Sequence, residues 1–227
     1  MRRALRTVSS VLIVAGVLLI ADAGVTLAWQ EPVSALIAAI RQDELSDQLA
    51  RIEREGPSAA DRAALARLRG GERRMAFLAR AMRASVREGD PIGRISLPSI
   101  GASYVVVQGT GTADLRKGPG HYPATTFPGL SGTVAIAGHR TTYGAPFHDV
   151  NDLRRGDRIS LRMPYGTFTY AVQRQRIVPP SATWVTRNVG YDRLVLSACH
   201  PLFSAAKRII IFAREVSAVP RGAALRG

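Results

Sequence analysis

The sequence predicts a mainly β fold: a closed barrel of seven or eight strands that follows an N-terminal transmembrane helix and a helical stalk. Three segments of different composition along the 227 residues support this prediction. A basic and apolar segment covers residues 1–29, an Ala-, Arg- and Glu-rich segment covers 30–89, and short β-branched runs separated by turn residues cover 90–217. We expect residues 218–227 to form a flexible tail.

The first segment has the composition of a membrane anchor. The basic stretch MRRALR precedes an uncharged, strongly apolar run over residues 7–21. Extended to Trp29, the segment reaches the roughly 20 residues that a helix needs to cross a bilayer, with the basic end in the cytoplasm. The alternative is a cleavable signal peptide, because Ala21-Asp22-Ala23 resembles a small-x-small cleavage site. We favour an uncleaved single-pass anchor in the cell membrane, with the following domain outside the cell.

The second segment predicts two or three helices, because apolar residues recur at helical spacing. These residues are Val33, Leu36, Ile37 and Ile40, then Leu45, Leu49 and Ile52, and then Met75, Leu78, Met82 and Val86. Ser58 and Asp61 have the spacing of a capping box. Charges of both signs fill the remaining positions, so we expect a solvated spacer rather than a lid on the domain that follows.

The β domain begins at Gly89-Asp90-Pro91. Beyond this point, seven segments have the composition of short strands. They cover residues 92–97, 103–108, 133–137, 158–162, 167–177, 194–198 and 207–214. Short strands at this density are typical of a closed or nearly closed β-barrel with a core of its own.

The net charge of +14 comes almost entirely from arginine. A charge of this size is often a sign of nucleic-acid binding. Here the arginines are spread along the chain between acidic residues, and there is no basic stripe interleaved with aromatic residues. We therefore expect no nucleic-acid partner, and we expect the charge to face an anionic cell envelope.

Cysteine occurs once, as Cys199, where the strand 194–198 ends. Arg208 begins the next strand, and His139 follows the strand 133–137, so the three side chains can meet at one edge of a sheet. A thiol needs a base or a cation to become a nucleophile, and a histidine can supply either. A guanidinium suits the oxyanion that forms when a thiol attacks an amide. The three residues therefore indicate acyl-transfer chemistry.

Each of these residues also has an ordinary interpretation. A lone cysteine is most often a small buried apolar residue, and Arg208 alone would be a surface charge. Cys199 lies at a strand end, where sites are commonly built, and the joint pattern favours function. His200 is an alternative base, but alternation along a strand directs the neighbour of Cys199 to the opposite face. We therefore prefer His139 as the base.

The segments AGHRTTYG, LSACHP and KRIIIFA, in this order, resemble the sortases, membrane-anchored cysteine transpeptidases of bacterial surfaces. The resemblance covers residues 91–216 and is strongest to class E sortases of high-GC Gram-positive bacteria. It implies a sortase-like β-barrel with His139, Cys199 and Arg208 as catalytic residues. The strand motif that is usual in the family, Thr-Leu-x-Thr-Cys, is absent here, and Ala198 stands in place of the threonine beside the cysteine. The resemblance implies a contact with the substrate backbone at this position, and Ala198 lacks the threonine hydroxyl for it.

The resemblance also implies substrates and partners. The substrates would be exported proteins with a C-terminal sorting signal, of the Leu-Pro-x-Thr-Gly or Leu-Ala-x-Thr-Gly type, cut between Thr and Gly through a thioacyl enzyme. The acceptor would be an amine of a cell-wall precursor or of another protein. We assign Tyr122 and Tyr143 to the substrate groove. The alternatives are a catalytically silent module that only binds sorting signals and a structural envelope protein.

Other cysteine enzymes fit the sequence less well. Papain-like peptidases place the cysteine before the histidine, and the L,D-transpeptidases carry a Ser-x-Gly-Cys segment that is absent here. One cysteine and four scattered histidines do not have the spacing of a metal site. We expect neither a metal nor another cofactor.

Overall fold

The computed structural model describes residues 2–28 and 32–225. Its α-helices are α1 (Arg2–Ala28), α2 (Pro32–Glu55), α3 (Ala59–Leu65), α4 (Gly71–Ser85) and α5 (Thr112–Leu115). Its strands are β1 (Pro91–Leu97), β2 (Ala102–Gln108), β3 (Gly120–His121), β4 (Thr133–Ala137), β5 (Arg158–Met163), β6 (Gly166–Val178), β7 (Arg193–His200) and β8 (Lys207–Pro220). Met1 and Trp29 of the predicted anchor, Gln30 and Glu31 of the predicted stalk and residues 226–227 of the predicted tail lie outside the described residues.

The eight strands form a closed barrel in the order β1-β2-β3-β4-β7-β8-β6-β5, and β5 pairs with β1. Neighbouring strands are antiparallel except for the pairs β2 with β3 and β4 with β7, which are parallel. The predicted barrel of seven or eight strands is confirmed. Strand β3 was not predicted, because it has only two residues and lies in the Gly- and Pro-rich loop 117–132.

The strands β4, β7 and β8 are apolar on both faces. Ile136, Leu196 and Ile211 point into the inner core, whereas Val195 and Phe212 belong to a second cluster on the outer face. This double burial explains the continuous apolar runs in the sequence. Because side chains alternate, the position of a residue along these strands determines which face it occupies.

Helix α2 packs against the barrel, which differs from the spacer expected from its mixed charge. Leu45 and Leu49 are buried against Val105 and Val107 of β2. The apolar stripe of the helix thus covers one side of β2 and leaves the charged face in solvent. The charge pattern alone did not predict this contact, because a solvated helix and an amphipathic helix packed on a domain can have the same pattern of charges.

The side chain of Gln42 in α2 makes hydrogen bonds to the backbone of β2 of the kind that a neighbouring strand would make. Its Oε1 accepts the N–H of Val105 at 2.7 Å, and its Nε2 donates to the carbonyl of Val105 at 3.2 Å. Nε2 also donates to the carbonyl of Lys117 at 2.9 Å. The side-chain amide therefore satisfies backbone groups that no strand pairs at this position.

Helix α4 closes one end of the barrel. Met75, Leu78 and Ala79 join the inner core, and they fall on the apolar face that the sequence predicted. The chain after residue 217 contributes to the same end. β8 continues to Pro220 and Ala224 is buried in the inner core, so the segment expected to be a flexible tail is packed as far as Ala224.

Across residues 2–28 and 32–225, no helix combines the length and the apolar character needed to cross a membrane. The transmembrane prediction for residues 1–29 is therefore not confirmed.

Replacing Gln42 with alanine is expected to lower the free energy of unfolding by about 2 kcal/mol, because it leaves buried backbone groups of β2 without partners. Denaturant titration of the purified protein measures this change. Gln48→Ala is the control, since Gln48 is an exposed glutamine of the same helix. Equal stability of the two variants would show that the Gln42 contacts do not contribute.

Candidate active site

Cys199 and Arg208 face each other across two neighbouring strands. Because β7 and β8 are antiparallel, Cys199 is the direct register partner of Arg208. Directly opposed residues project from the same face with Cβ atoms about 4.5–5.5 Å apart. The predicted nucleophile and the predicted cation are therefore neighbours.

His139 follows β4. This strand pairs in parallel with β7, on the side of β7 that lies opposite to β8. The ladder pairs Ala137 with Ser197, and the N–H of Gly138 donates to the carbonyl of Ser197 at 3.0 Å. β4 and its ladder with β7 end at Ala137, so His139 lies two residues beyond them, at the edge of the barrel where β7 carries Cys199. The ends of β4, β7 and β8 thus bring His139, Cys199 and Arg208 to one edge of the barrel, as one row of strand ends.

The backbone at Gly138 determines how the chain enters this row. A Cβ atom at Gly138 would lie 2.5 Å from the ring of Phe147, which is fully buried. The N–H of Phe147 in turn donates to the carbonyl of His139 at 3.0 Å. Only glycine therefore lets the loop close over Phe147 and fix the backbone of His139.

The other three histidines are held by hydrogen bonds. The ring nitrogens of His121 contact Gln108 Oε1 and the carbonyl of Thr126, both at 2.9 Å. His148 contacts the carbonyl of Arg140 through Nδ1 at 2.7 Å, and Nδ1 of His200 lies 3.4 Å from Arg140 Nη1.

Nε2 of His139, by contrast, is buried and has no hydrogen-bond partner among the described residues. A buried polar atom without a partner requires an explanation, and a site for proton transfer supplies one. Burial lowers the pKa of His139 below its ordinary value of 6.5, and the charge of Arg116 lowers it further. The imidazole is therefore neutral at neutral pH and able to accept a proton.

Cys199 is half-buried and carries a free thiol. It lines a cleft of about 320 Å³ together with Arg140, Thr141, Pro201, Phe203, Ser204 and Ala205. A cysteine that only fills space would lie within the core, as Ala198 does next to it. The position of Cys199 in a cleft is typical of a reactive thiol.

Arg208 lies at the rim of the barrel and is half-buried. Its Nη1 donates to the carbonyls of Ala205 and Lys207 at 2.9 and 3.0 Å. These two bonds tie the guanidinium to the loop before β8 and to the first residue of β8. Among the described residues, Nε and Nη2 make no hydrogen bond, so they are available to a substrate carbonyl.

The structure brings Tyr143 to His139 and places Tyr122 on the same outer face. The rings of Tyr143 and His139 lie 5.1 Å apart, and the guanidinium of Arg116 lies 5.6 Å from the centre of the Tyr143 ring. Tyr122 packs on the outer cluster beside β4 and β7. Neither tyrosine lines the cleft that contains Cys199, so their place in a substrate groove stays a prediction.

Ala198 differs from the prediction. Its side chain is buried in the inner core, so it faces away from the row of His139, Cys199 and Arg208. The reason is the alternation of side chains along β7, which directs immediate neighbours to opposite faces. A substrate contact at Ala198 can come only from its backbone.

The sequence analysis did not identify Arg140, which is only 4% exposed. Its guanidinium donates to the carbonyls of Cys199 and His148 and to the side chain of Asn151. The available signal was its place directly after His139 in the AGHRTTYG segment. A charged residue in a loop is, however, usually a surface side chain, so this position alone did not indicate that Arg140 is buried.

No metal was expected at this site. Among the residues that the structure describes, no group of three or more His, Cys, Asp or Glu side chains could hold a metal ion.

The charge of Arg116 provides a direct test of the electrostatics at His139. Arg116→Gln is expected to raise the pKa of His139 toward 6.5, because it removes a positive charge that disfavours the imidazolium. The shift should be modest and salt-dependent, since Arg116 is exposed. NMR titration of the His139 ring measures it, with Arg116→Lys as the charge-retaining control. An unchanged pKa in Arg116→Gln would contradict this account.

Residues 95–216 match the sortase domain family. Sortase D of Bacillus subtilis is 34% identical over 133 residues, which cover 57% of this chain and 66% of that protein. Sortase A of Bacillus anthracis is 30% identical over 135 residues, which cover 59% of this chain and 64% of that protein. The chain thus spans slightly less than two thirds of the length of these curated relatives.

Solved structures agree with the sequence relatives. Sortase E from Streptomyces avermitilis has a TM-score of 0.54 and is 34% identical, over 62% of this chain and 99% of that chain. Sortase E1 from Streptomyces coelicolor, solved with a tripeptide in the active site, has a TM-score of 0.56 and is 26% identical, over 59% of this chain and 92% of that chain. The family match covers more than half of the chain and includes His139, Cys199 and Arg208. The chain therefore belongs to the sortase family.

Proposed function

We propose that this protein is a cysteine transpeptidase that cuts a C-terminal sorting signal between Thr and Gly and joins the new carboxyl end to an amine. The observation that carries the proposal is the row of His139, Cys199 and Arg208 at the ends of three neighbouring strands. Membership in the sortase family supports the same reaction. The substrates are exported proteins that carry the signal.

In the first step the thiol of Cys199 attacks the carbonyl carbon of the threonine. His139 accepts the thiol proton, a role that fits its lowered pKa and its unpartnered Nε2. The same proton then passes to the nitrogen of the leaving glycine as the peptide bond breaks. The products are a thioester on Cys199 and a released peptide with a free amino end.

Arg208 stabilises the negative charge that develops on the carbonyl oxygen during this attack. Its permanent charge and planar set of N–H donors suit an oxyanion better than a neutral donor would. The register of β8 against β7 supports this role, because it holds Arg208 opposite Cys199.

In the second step an amine attacks the thioester, and His139 takes the proton that this amine loses. The acceptor is an amine of a cell-wall precursor or of another protein. Water gives hydrolysis instead, so the balance between the two reactions depends on access of the amine to the cleft at Cys199.

We further propose that residues 1–29 hold the protein in the cell membrane, with the barrel outside the cell. The sequence begins with a basic stretch, and apolar side chains of α1 such as Leu19 and Ile20 are 69% and 75% exposed, which favours apolar surroundings. Membrane fractionation followed by protease treatment of intact cells tests the arrangement. Recovery of the full-length chain in the soluble fraction would contradict it.

The test of the proposed reaction uses the full-length chain, because α2 and α4 pack on the barrel. The protein is incubated with Leu-Pro-x-Thr-Gly and Leu-Ala-x-Thr-Gly peptides, with triglycine as the amine, and the products are identified by mass spectrometry. We expect cleavage after threonine and transfer of the acyl part to triglycine.

Cys199→Ala is the matched control and should give neither product. A silent binding module would bind a sorting peptide equally well with either residue and would never cut it. No cleavage of either peptide by the folded protein would contradict the enzyme function proposed for these substrates.

A further inference from the structure

Arg140 is a buried arginine that lines the cleft of Cys199 and has no role in the reaction described above. Three of its hydrogen bonds go to loop 148–151: Nε and Nη2 donate to the carbonyl of His148 at 3.1 and 3.0 Å, and Nη2 also donates to the side chain of Asn151. The guanidinium is therefore fixed on one side of the cleft before any substrate binds.

The remaining nitrogen of Arg140 contacts the end of β7. Nη1 lies 3.4 Å from the carbonyl oxygen of Cys199 and 3.4 Å from Nδ1 of His200. The side chain of Arg140 thus connects loop 148–151 with the backbone of Cys199. Because Nδ1 of His200 contacts Arg140, this nitrogen is engaged and does not take part in the proton transfer assigned to His139.

A permanent charge in this position acts on the thiol as well as on the backbone. Burial lowers the pKa of Arg140, and the opposing effects of Asp149, Asp152 and Cys199 raise it; the guanidinium keeps its charge throughout. A cation close to a thiol favours the thiolate. The attraction between Arg140 and Cys199 therefore has the sign that would assist attack.

We propose that Arg140 is a positioning residue for the nucleophile: it fixes the backbone of Cys199 in line with His139 and Arg208 and places a second cation beside the thiolate. This inference rests on the proposed function. The charged and titratable groups around Cys199 are Arg208 on β8, His139 after β4, His200 on β7, Lys207 opposite His200, and Asp149 and Asp152 near Arg140.

The experiment compares Arg140→Gln, Arg140→Lys and wild type in the full-length chain. The first readout is the rate of Cys199 alkylation by iodoacetamide at one fixed pH, which needs no peptide substrate. We expect a reaction about fivefold slower in Arg140→Gln and a rate near that of wild type in Arg140→Lys, because lysine keeps a positive charge in the cleft of the thiol.

The second readout is kcat/KM for cleavage of a sorting peptide. We expect a loss of about 10²-fold in both variants, mainly in kcat, because neither glutamine nor lysine can join the loop to Cys199 in the way that the guanidinium does. Arg155→Gln is the control, since it removes an equal charge from an exposed position outside the cleft and should leave both readouts unchanged.

Melting temperatures separate positioning from a purely structural role. If Arg140→Gln does not fold, Arg140→Lys alone decides, through a loss of kcat at an unchanged melting temperature. Wild-type kcat/KM in Arg140→Lys would overturn the proposal, as would an alkylation rate in folded Arg140→Gln equal to that of wild type. If wild type cuts no sorting peptide, the proposed function fails, and the alkylation rate still tests the effect of Arg140 on the thiol.

Discussion

His139→Ala is expected to lower kcat/KM for sorting-peptide cleavage by about 10⁴-fold or more, the scale on which loss of a catalytic base stops a nucleophilic enzyme. His139 follows β4 at the edge of the barrel where β7 carries Cys199, and its Nε2 has no hydrogen-bond partner among the residues described. Peptide cleavage followed by chromatography measures the loss, with melting temperature as the folding control.

His200→Ala is the matched comparison, because His200 is the immediate neighbour of Cys199. Its Nδ1 contacts Arg140, and alternation along β7 turns it away from the thiol. We expect this variant to keep most of the activity. An equal loss in both variants would mean that the base was assigned to the wrong face of the strand.

The wild-type value of kcat/KM should fall at acidic pH, because a protonated imidazole cannot accept the thiol proton. Since the pKa of free His139 is lowered from 6.5, the fall should occur only below pH 6.5. The rate of peptide cleavage as a function of pH measures it, and a fall centred above pH 6.5 would contradict the lowered pKa.

Arg208→Lys is expected to lower kcat/KM by about 10²- to 10³-fold, the scale of losing one oxyanion donor. Lysine keeps the charge and most of the stem but loses the planar fork of donors. Arg208→Ala should lose at least as much activity. Folding should survive in the lysine variant, because the hydrogen bonds of Arg208 are to exposed loop carbonyls.

Lys207→Ala is a suitable control for Arg208, because Lys207 is the exposed neighbour on the same strand and pairs with His200 instead of Cys199. It should retain activity. Near-wild-type rates in both Arg208 variants would show that Arg208 is only a rim charge. A loss of rate matched by a loss of melting temperature would show that its effect is structural.

The predicted row of three residues depended on strand ends, and strand ends are visible in the sequence. Apolar runs that stop at Gly138 and Cys199 predict where β4 and β7 end, and the barrel brings those ends together. Two-residue alternation then excluded His200. No single segment of the sequence indicates the order of the strands in the barrel. The sequence alone therefore could not establish that β4, β7 and β8 are adjacent.

Other features were missed for physical reasons. The docking of α2 depends on the unpaired backbone of Val105, and a sequence does not reveal which backbone groups lack a strand partner. Arg140 was missed because its burial arises from a loop that folds back over it. Ala198 was assigned to the substrate through the family motif, whereas alternation, applied to Ala198 as it was to His200, would have placed its side chain in the core.

The most direct test of the account is intact-protein mass spectrometry of the full-length chain, mixed with a sorting peptide in the absence of an acceptor amine and quenched in acid. We predict a covalent adduct with the mass of the acyl fragment that ends in threonine, located on the peptide containing Cys199 and released by hydroxylamine. Cleaved peptide without any such adduct at early times, or an adduct on another residue, would contradict a thioacyl enzyme at Cys199.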